Sequence, residues 1–248
     1  MGVQFAHIPG FSSVDLNGVW RLYKKKYPNV AEHPLLAPQF ETFGGTNLHP
    51  NFQFQVGPGP VGARLWFLSQ EENHLLQFQP DRFIANWRKG GNLRPYPHFE
   101  AISAAFTRDF KALQRHTERN FSFAVDVNQA EVSYINLVPV SEFADAGKWF
   151  SIFNTGEINI EASTVSFNEV VRDESGSPYA RLYHLIQAAF AHDGKQNVFS
   201  LSLTFRGKPQ GNDQNSLMRF FKAGRKEIVS RFGQITTKYA HEYWKRTP

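Results

Sequence analysis

The spacing of apolar residues changes along the chain, and the changes mark out its elements. The pattern is densest between residues 63 and 115. Ala63–Ser69 carries Leu65, Trp66, Phe67 and Leu68 in succession, apolar on both faces of a strand. Gln70-Glu71-Glu72-Asn73 is a polar turn, and His74–Trp87 returns as the partner strand with Leu76, Phe78 and Phe83. Pro80 has no amide proton to give a ladder, which predicts an edge or a bulge inside that second strand. Past Tyr96-Pro97 the period lengthens. Phe99, Ile102, Phe106, Phe110 and Leu113 fall three or four apart and predict a helix over His98–Arg115.

The flanks are read in the same way. Val3–Ile8 is extended, and Ser12 or Ser13 caps a helix running to Tyr27, whose apolar face is Leu16, Val19, Trp20, Tyr23 and Tyr27. Lys24, Lys25 and Lys26 close it where cations suit the helix dipole, and Pro28 ends it. Gln39–Phe43 and Phe52–Val56 alternate as strands do, before the break at Gly57-Pro58-Gly59-Pro60. Phe121–Val127 and Glu131–Val140 read as two strands joined at Asn128-Gln129. Asp145–Phe153 reads as a short helix, with strands over Asn159–Arg172, Pro178–His192 and Val198–Gly207. A polar loop at 207–215 leads into a final helix, Ser216–Trp244, lined by Leu217, Phe221, Gly224, Ile228, Phe232, Ile235 and Tyr239. Residues 178–192 admit two readings. Leu182, Leu185, Ile186, Phe190 and the pair Ala188-Ala189 suit a helix, while flanks that mirror 63–87 favour a strand.

Hairpins joined by long helices, without regular strand–helix alternation, predict an α+β fold: an antiparallel sheet with long helices packed on one face. The chain is read as one compact domain over 1–248. The order helix, strands, long helix occurs over 11–140 and again over 141–248, which predicts two similar halves without residue-level identity.

Composition narrows the chemistry. The 24 Phe, with 5 Trp and 8 Tyr, supply stiff apolar surface for packing sheets against helices and argue for a folded chain. With no Cys there is no disulfide, thiolate or Cys-based metal site. No run of 18 residues lacks a polar side chain, and Met1–Gly10 is not a leader, so a soluble cytoplasmic protein without membrane attachment is expected. The net charge of +5 is uneven: residues 216–248 hold eight Lys/Arg against two Glu, a net +6, and the other 215 residues sum to −1. Phosphate-loop, dinucleotide, nucleophile-elbow and zinc-helix motifs are missing, so no catalytic residue, metal ligand or cofactor is assigned. Asp109-Phe110-Lys111 has the letters of a nuclease but falls in a helix. The pair Glu71-Glu72 falls in a turn, where adjacent acids are solvated. Asp81-Arg82-Phe83 with Asn86 and Trp87 sets an anion-binding guanidinium among aromatics. On the final helix Arg219, Lys222 and Lys226 lie opposite the apolar line and form a basic face, to which Arg225 adds a fourth candidate cation.

Four separated signatures lie together in this chain. They are Leu75-Leu76-Gln77-Phe78-Gln79-Pro80-Asp81-Arg82-Phe83, then Trp87 with Tyr96-Pro97 and Phe99-Glu100, then Tyr134-Ile135-Asn136, and last Phe232 with Thr236-Thr237 and Trp244. In this combination the chain resembles a sporadically distributed bacterial family of functionally uncharacterised proteins of about this length. Ser133 stands where members of that family carry a basic residue. The resemblance implies a bacterial source and one compact domain. Its patchy distribution is similar to that of accessory genes such as defence or toxin–antitoxin components.

Three functions are therefore carried forward. The first is a non-enzymatic component that binds another protein, or itself, through a sheet face or hairpin edge. The second is a nucleic-acid-binding protein using Arg219, Lys222, Arg225 and Lys226. The third is a small-molecule or nucleotide site at Arg82, Asn86, Trp87, Tyr134 and Asn136.

Overall fold

The structure is a computed structural model that describes residues 1–44, 62–89, 96–154, 158, 161–190 and 196–245. It is an α+β fold. Among the described residues there are nine strands, β1 Gly2–Phe5, β2 Asn29–Pro34, β3 Ala63–Leu68, β4 His74–Gln79, β5 Arg82–Trp87, β6 Val127–Pro139, β7 Thr164–Arg172, β8 Pro178–Phe190 and β9 Asn197–Gly207. Five helices accompany them: α1 Leu16–Tyr23, α2 Phe99–Phe121, α3 Ala146–Trp149, α4 Gln214–Ile235 and α5 Lys238–Tyr243. The strands form an antiparallel sheet in the order β2-β3-β4-β5-β1-β6-β9-β8-β7. The chain divides into two compact units, Met1–Ala130 with Lys208–Met218, and Glu131–Gly207 with Arg219–Pro248.

In the first unit alternation along β3, β4 and β5 sends Phe67, Leu76, Phe78 and Phe83 to one face, all buried. Phe83 meets Phe106 and Phe110 of α2 at 5.7 Å each and Tyr23 of α1 at 6.1 Å. Tyr23 in turn lies 5.9 Å from Phe67. The helical spacing of Phe99, Phe106, Phe110 and Leu113 is thus the spacing of a core stripe. Buried Asp109 fastens the two helices: it accepts from Tyr27 Oη at 3.2 Å, Lys26 Nζ at 3.3 Å and Arg108 Nε at 3.0 Å, while its backbone carbonyl accepts from Tyr23 Oη. Burial, and then the Asp109 charge, hold the Tyr23 and Tyr27 phenols above their usual range. The nuclease-like letters at 109–111 therefore belong to helix packing.

In the second unit α4 is seated on β9 at Gly224. A Cβ there would stand 2.7 Å from Phe205 Cδ1. Phe220 packs on the same ring at 5.0 Å, and Arg231 reaches Glu169 of β7.

The structure departs from the pattern-based reading at several points. His74–Trp87 is two strands, because Pro80 and Asp81 reverse the chain between Gln79 and Arg82, where a proline pre-sets the first turn dihedral. The first long helix continues to Phe121 and stops at Ser122, which takes φ 50°. Residues 122–126 are therefore not a strand, and Asn128-Gln129 is no turn but part of continuous β6. Residues 39–43 form no strand; the edge strand is β2, whose exposed, proline-ended sequence hides its pairing with β3. The expected helix over 145–153 shortens to α3. The final helix breaks at Thr236-Thr237, where the Thr237 side chain caps α5 by accepting from Ala240 N at 3.2 Å. Residues 178–190 are strand. Phe52–Val56, the 57–60 break and Asn159 lie outside the described residues.

Candidate functional site

Arg82 opens β5 on the face opposite Phe83. Its Nη2 donates to Gln4 Oε1 and to Ala37 O at 2.9 Å. Gln4 Oε1 also accepts from Gln39 N at 2.9 Å, and Gln79 exchanges two bonds with Leu36, from Leu36 N at 3.0 Å and to Leu36 O at 2.9 Å. Side chains from β1, β4 and β5 thus hold residues 36–39 as a strap across this face. The guanidinium singled out for anions is engaged in fastening that strap. Asn86 shares the face and accepts from Gln77 Nε2 at 2.8 Å. Trp87 alternates to the other face and stands edge-on to Tyr96 at 5.0 Å. Tyr134 and Asn136 belong to β6 in the second unit, where both are half-buried.

The second unit carries a more telling surface. Register places Thr164, Ser166, Asn168 and Val170 of β7 on one face with Arg181, Tyr183, Leu185 and Gln187 of β8 and with Ser200, Ser202, Thr204 and Arg206 of β9. β6 adds Glu131, Ser133, Ile135 and Leu137: Ser133 and Thr204 share a hydroxyl bond at 2.8 Å, and Arg206 Nε donates to Glu131 Oε2 at 3.1 Å. Ile135 is 67% exposed, Leu137 61%, Val170 43% and Leu185 36%. Only hydroxyl-bearing side chains rise from the middle of β9, while Ile135 and Leu137 flank it on one side and Tyr183 and Leu185 on the other. The result is a shallow trough between strands two spacings apart, roughly 9.6 Å. Apolar residues directed outward on a strand are the informative exception, since the polar positions of an antiparallel sheet ordinarily take that face.

The opposite face of the same strands is internal. His184, fully buried on β8, donates from Nε2 to Glu169 Oε1 at 2.8 Å and stacks on Phe167 at 4.3 Å. Arg231 Nε meets both Glu169 oxygens at 2.9 Å. Burial holds the imidazole below its usual pKa, against the pull of Glu169. A histidine oriented by a carboxylate has the form of a general base. Here, however, the whole of His184 is only 1% exposed, so no substrate reaches it. The cluster fixes β7, β8 and α4 together.

The helical wheel's basic face is exposed at Arg219, Lys222 and Lys226 of α4, Arg225 is exposed as well, and Phe220, Phe221 and Ile228 are buried. Among the described residues no group of three or more His, Asp or Glu is placed to hold a metal ion, and no helix is long and apolar enough to cross a membrane. No family model, curated protein or solved structure matches the chain. Function is therefore argued from these surfaces alone.

The sequence reading missed the outward Ile135 and Leu137. Their signal was present: β6 alternates Val132, Tyr134, Asn136 and Val138 against Ser133, Ile135 and Leu137, so both faces carry apolar residues.

Proposed function

We propose that the protein is a non-enzymatic binding component that docks an amphipathic helix of a protein partner on the outer face of β6, β9, β8 and β7. The trough over Ser200, Ser202 and Thr204, flanked by Ile135, Leu137 and Leu185, carries this reading. A helix is about 10–12 Å across with its side chains, and its ridge of apolar residues at i, i+3, i+4 and i+7 suits a channel of this width. Arg206, paired to Glu131 and stacked over Tyr183 at 5.2 Å, gives one end of the trough a polar rim. The reading requires the helices of this unit to keep to the other face, which the seating of Gly224 on Phe205 and of Arg231 on Glu169 supports.

The test is site-specific photo-crosslinking in extract of the native host, with the probe at Ser202 and a control probe at Asn29 of β2. One protein captured from Ser202 alone, and lost in Leu137→Glu at unchanged melting temperature, supports the proposal. Equal capture from both probes, or no protein captured from Ser202 in host extract, overturns it.

The exposed row Arg219, Lys222, Arg225 and Lys226 supports a second reading, nucleic-acid binding by charge. Binding of that kind weakens with salt in proportion to the phosphates neutralised. Salt-independent binding, or binding that survives reversal of all four charges, eliminates it.

A further inference from the structure

The strapped face of the first unit has a second group of polar side chains, each of which leaves one buried atom without a hydrogen-bond partner among the described residues. Arg64 and Trp66 occupy alternate positions of β3 and so project to the same side, away from buried Leu65 and Phe67. His33 of β2 stands opposite Arg64 in register and stacks on the Trp66 ring at 3.8 Å. The Arg64 guanidinium lies 5.6 Å from that ring. Gln77 of β4 is opposite Trp66.

Among the described residues three buried polar atoms meet no hydrogen-bond partner here: Arg64 Nε, Trp66 Nε1 and Gln77 Oε1. Gln77 turns its amide nitrogen to Asn86, which leaves its oxygen inward. Unmatched buried donors are rare in folded proteins, and a missing ion or ligand is a standard reason for them. Arg64 also forms no ion pair among the described residues, while Arg82 is close enough to oppose its charge; burial, then Arg82, lower its pKa. The aromatic stack fixes the indole edge, so its N–H is held in place before anything binds.

We infer that Arg64 Nε and Trp66 Nε1 together bind an oxyanion group, a carboxylate or a phosphate, of a small molecule seated on β3 beside the strap. The two N–H donors meet two oxygens of one anionic group, the arrangement for which guanidinium–oxyanion pairing is strongest. Arg82 Nη2 is already committed to Gln4 and Ala37, so the two donors proposed for the anion are those of Arg64 and Trp66. Gln77 Oε1 is left to accept from a hydroxyl or ammonium on the same ligand. This site is separate from the trough and does not depend on it.

The measurement is the indole N–H resonance of Trp66 in protein carrying nitrogen-15 tryptophan, assigned by its loss in Trp66→Phe. Inorganic phosphate, acetate and chloride are titrated at constant ionic strength. A saturable shift of the Trp66 signal with phosphate or with acetate, absent with chloride, is expected. Which of the two saturates first identifies the preferred group. In Arg64→Gln the same titration is expected to weaken about tenfold or more, the loss of one charged hydrogen bond. Arg64→Lys, which keeps the charge without the Nε donor, serves if Arg64→Gln does not fold and is expected to weaken as well. No shift in the wild-type protein, a linear response common to all three salts, or a response unchanged in the folded Arg64 variant overturns the inference.

Discussion

Gly224→Ala tests how α4 is seated behind the trough. In an exposed helix this change stabilises by about 1 kcal/mol, through intrinsic propensity. At Gly224 the new Cβ lies 2.7 Å from Phe205 Cδ1, 3.1 Å from Cγ and 3.2 Å from Cβ. Carbon atoms rest at about 3.5–4.0 Å, so three contacts are too short at once. The ring has little room to yield. Phe205 is fully buried, with Phe220 at 5.0 Å and Tyr179 at 6.0 Å, and its own Cβ is fixed to β9. Overpacking of this kind costs about 1–3 kcal/mol, and the shortness and number of the contacts place this case in the upper part, about 2–3. Subtracting the propensity gain leaves a net loss of about 1–2 kcal/mol, or a Tm lower by about 2–8 °C for a chain of this size. Calorimetry on the single variant and on Gly224→Ala with Phe205→Leu completes the assay, since the smaller side chain relieves the clash and the pair is less destabilised than the sum of its parts. A Tm equal to or above wild type, or strict additivity in the double variant, refutes the seating.

Other outcomes follow from the same contacts. Because the folded His184 imidazole titrates below its unfolded value of 6.5, the unfolded chain binds more protons in that window. His116, also lowered by burial, acts in the same direction. Stability is therefore full above about pH 7 and falls on acidification below the unfolded value, and melts across this range are expected to show a shallower fall in His184→Gln. Ser122 sits in the left-handed region at φ 50° as the cap after α2, so Ser122→Gly is expected to stabilise by about 0.5–1 kcal/mol in urea titrations. Asp109→Ala strands the Tyr27 hydroxyl and the Arg108 and Lys26 cations, with an expected loss of about 2–3 kcal/mol and a lowered urea midpoint.

The candidate surfaces were only half legible in the residues. Arg219, Lys222 and Lys226 of α4 could be drawn from a helical wheel because their placement depends on one element alone. Arg82 looked available because a sequence does not show that Gln4 and the carbonyl of Ala37, 78 and 45 residues away, would reach it. Arg64 and Trp66 were hidden inside a strand that read as apolar throughout. Their unmatched N–H groups exist only because β2 and β4 close in on either side.

Element type was fixed locally wherever one period fitted and the other failed. Phe99, Phe106, Phe110 and Leu113 suit a helix and no strand, and α2 formed there. At 178–190 both periods fit, because Leu182 and Ile186 are four apart and four is also twice two. Pairing with β7 on one side and β9 on the other decided for the strand, burying Ala180, Leu182, His184 and Ile186 at every second position. Sequence by itself determined the stretches that bury apolar surface. Tertiary structure decided where they turn and which faces stay open, because backbone hydrogen bonds between strands and the close approach of Gly224 to Phe205 are made with residues distant in the chain.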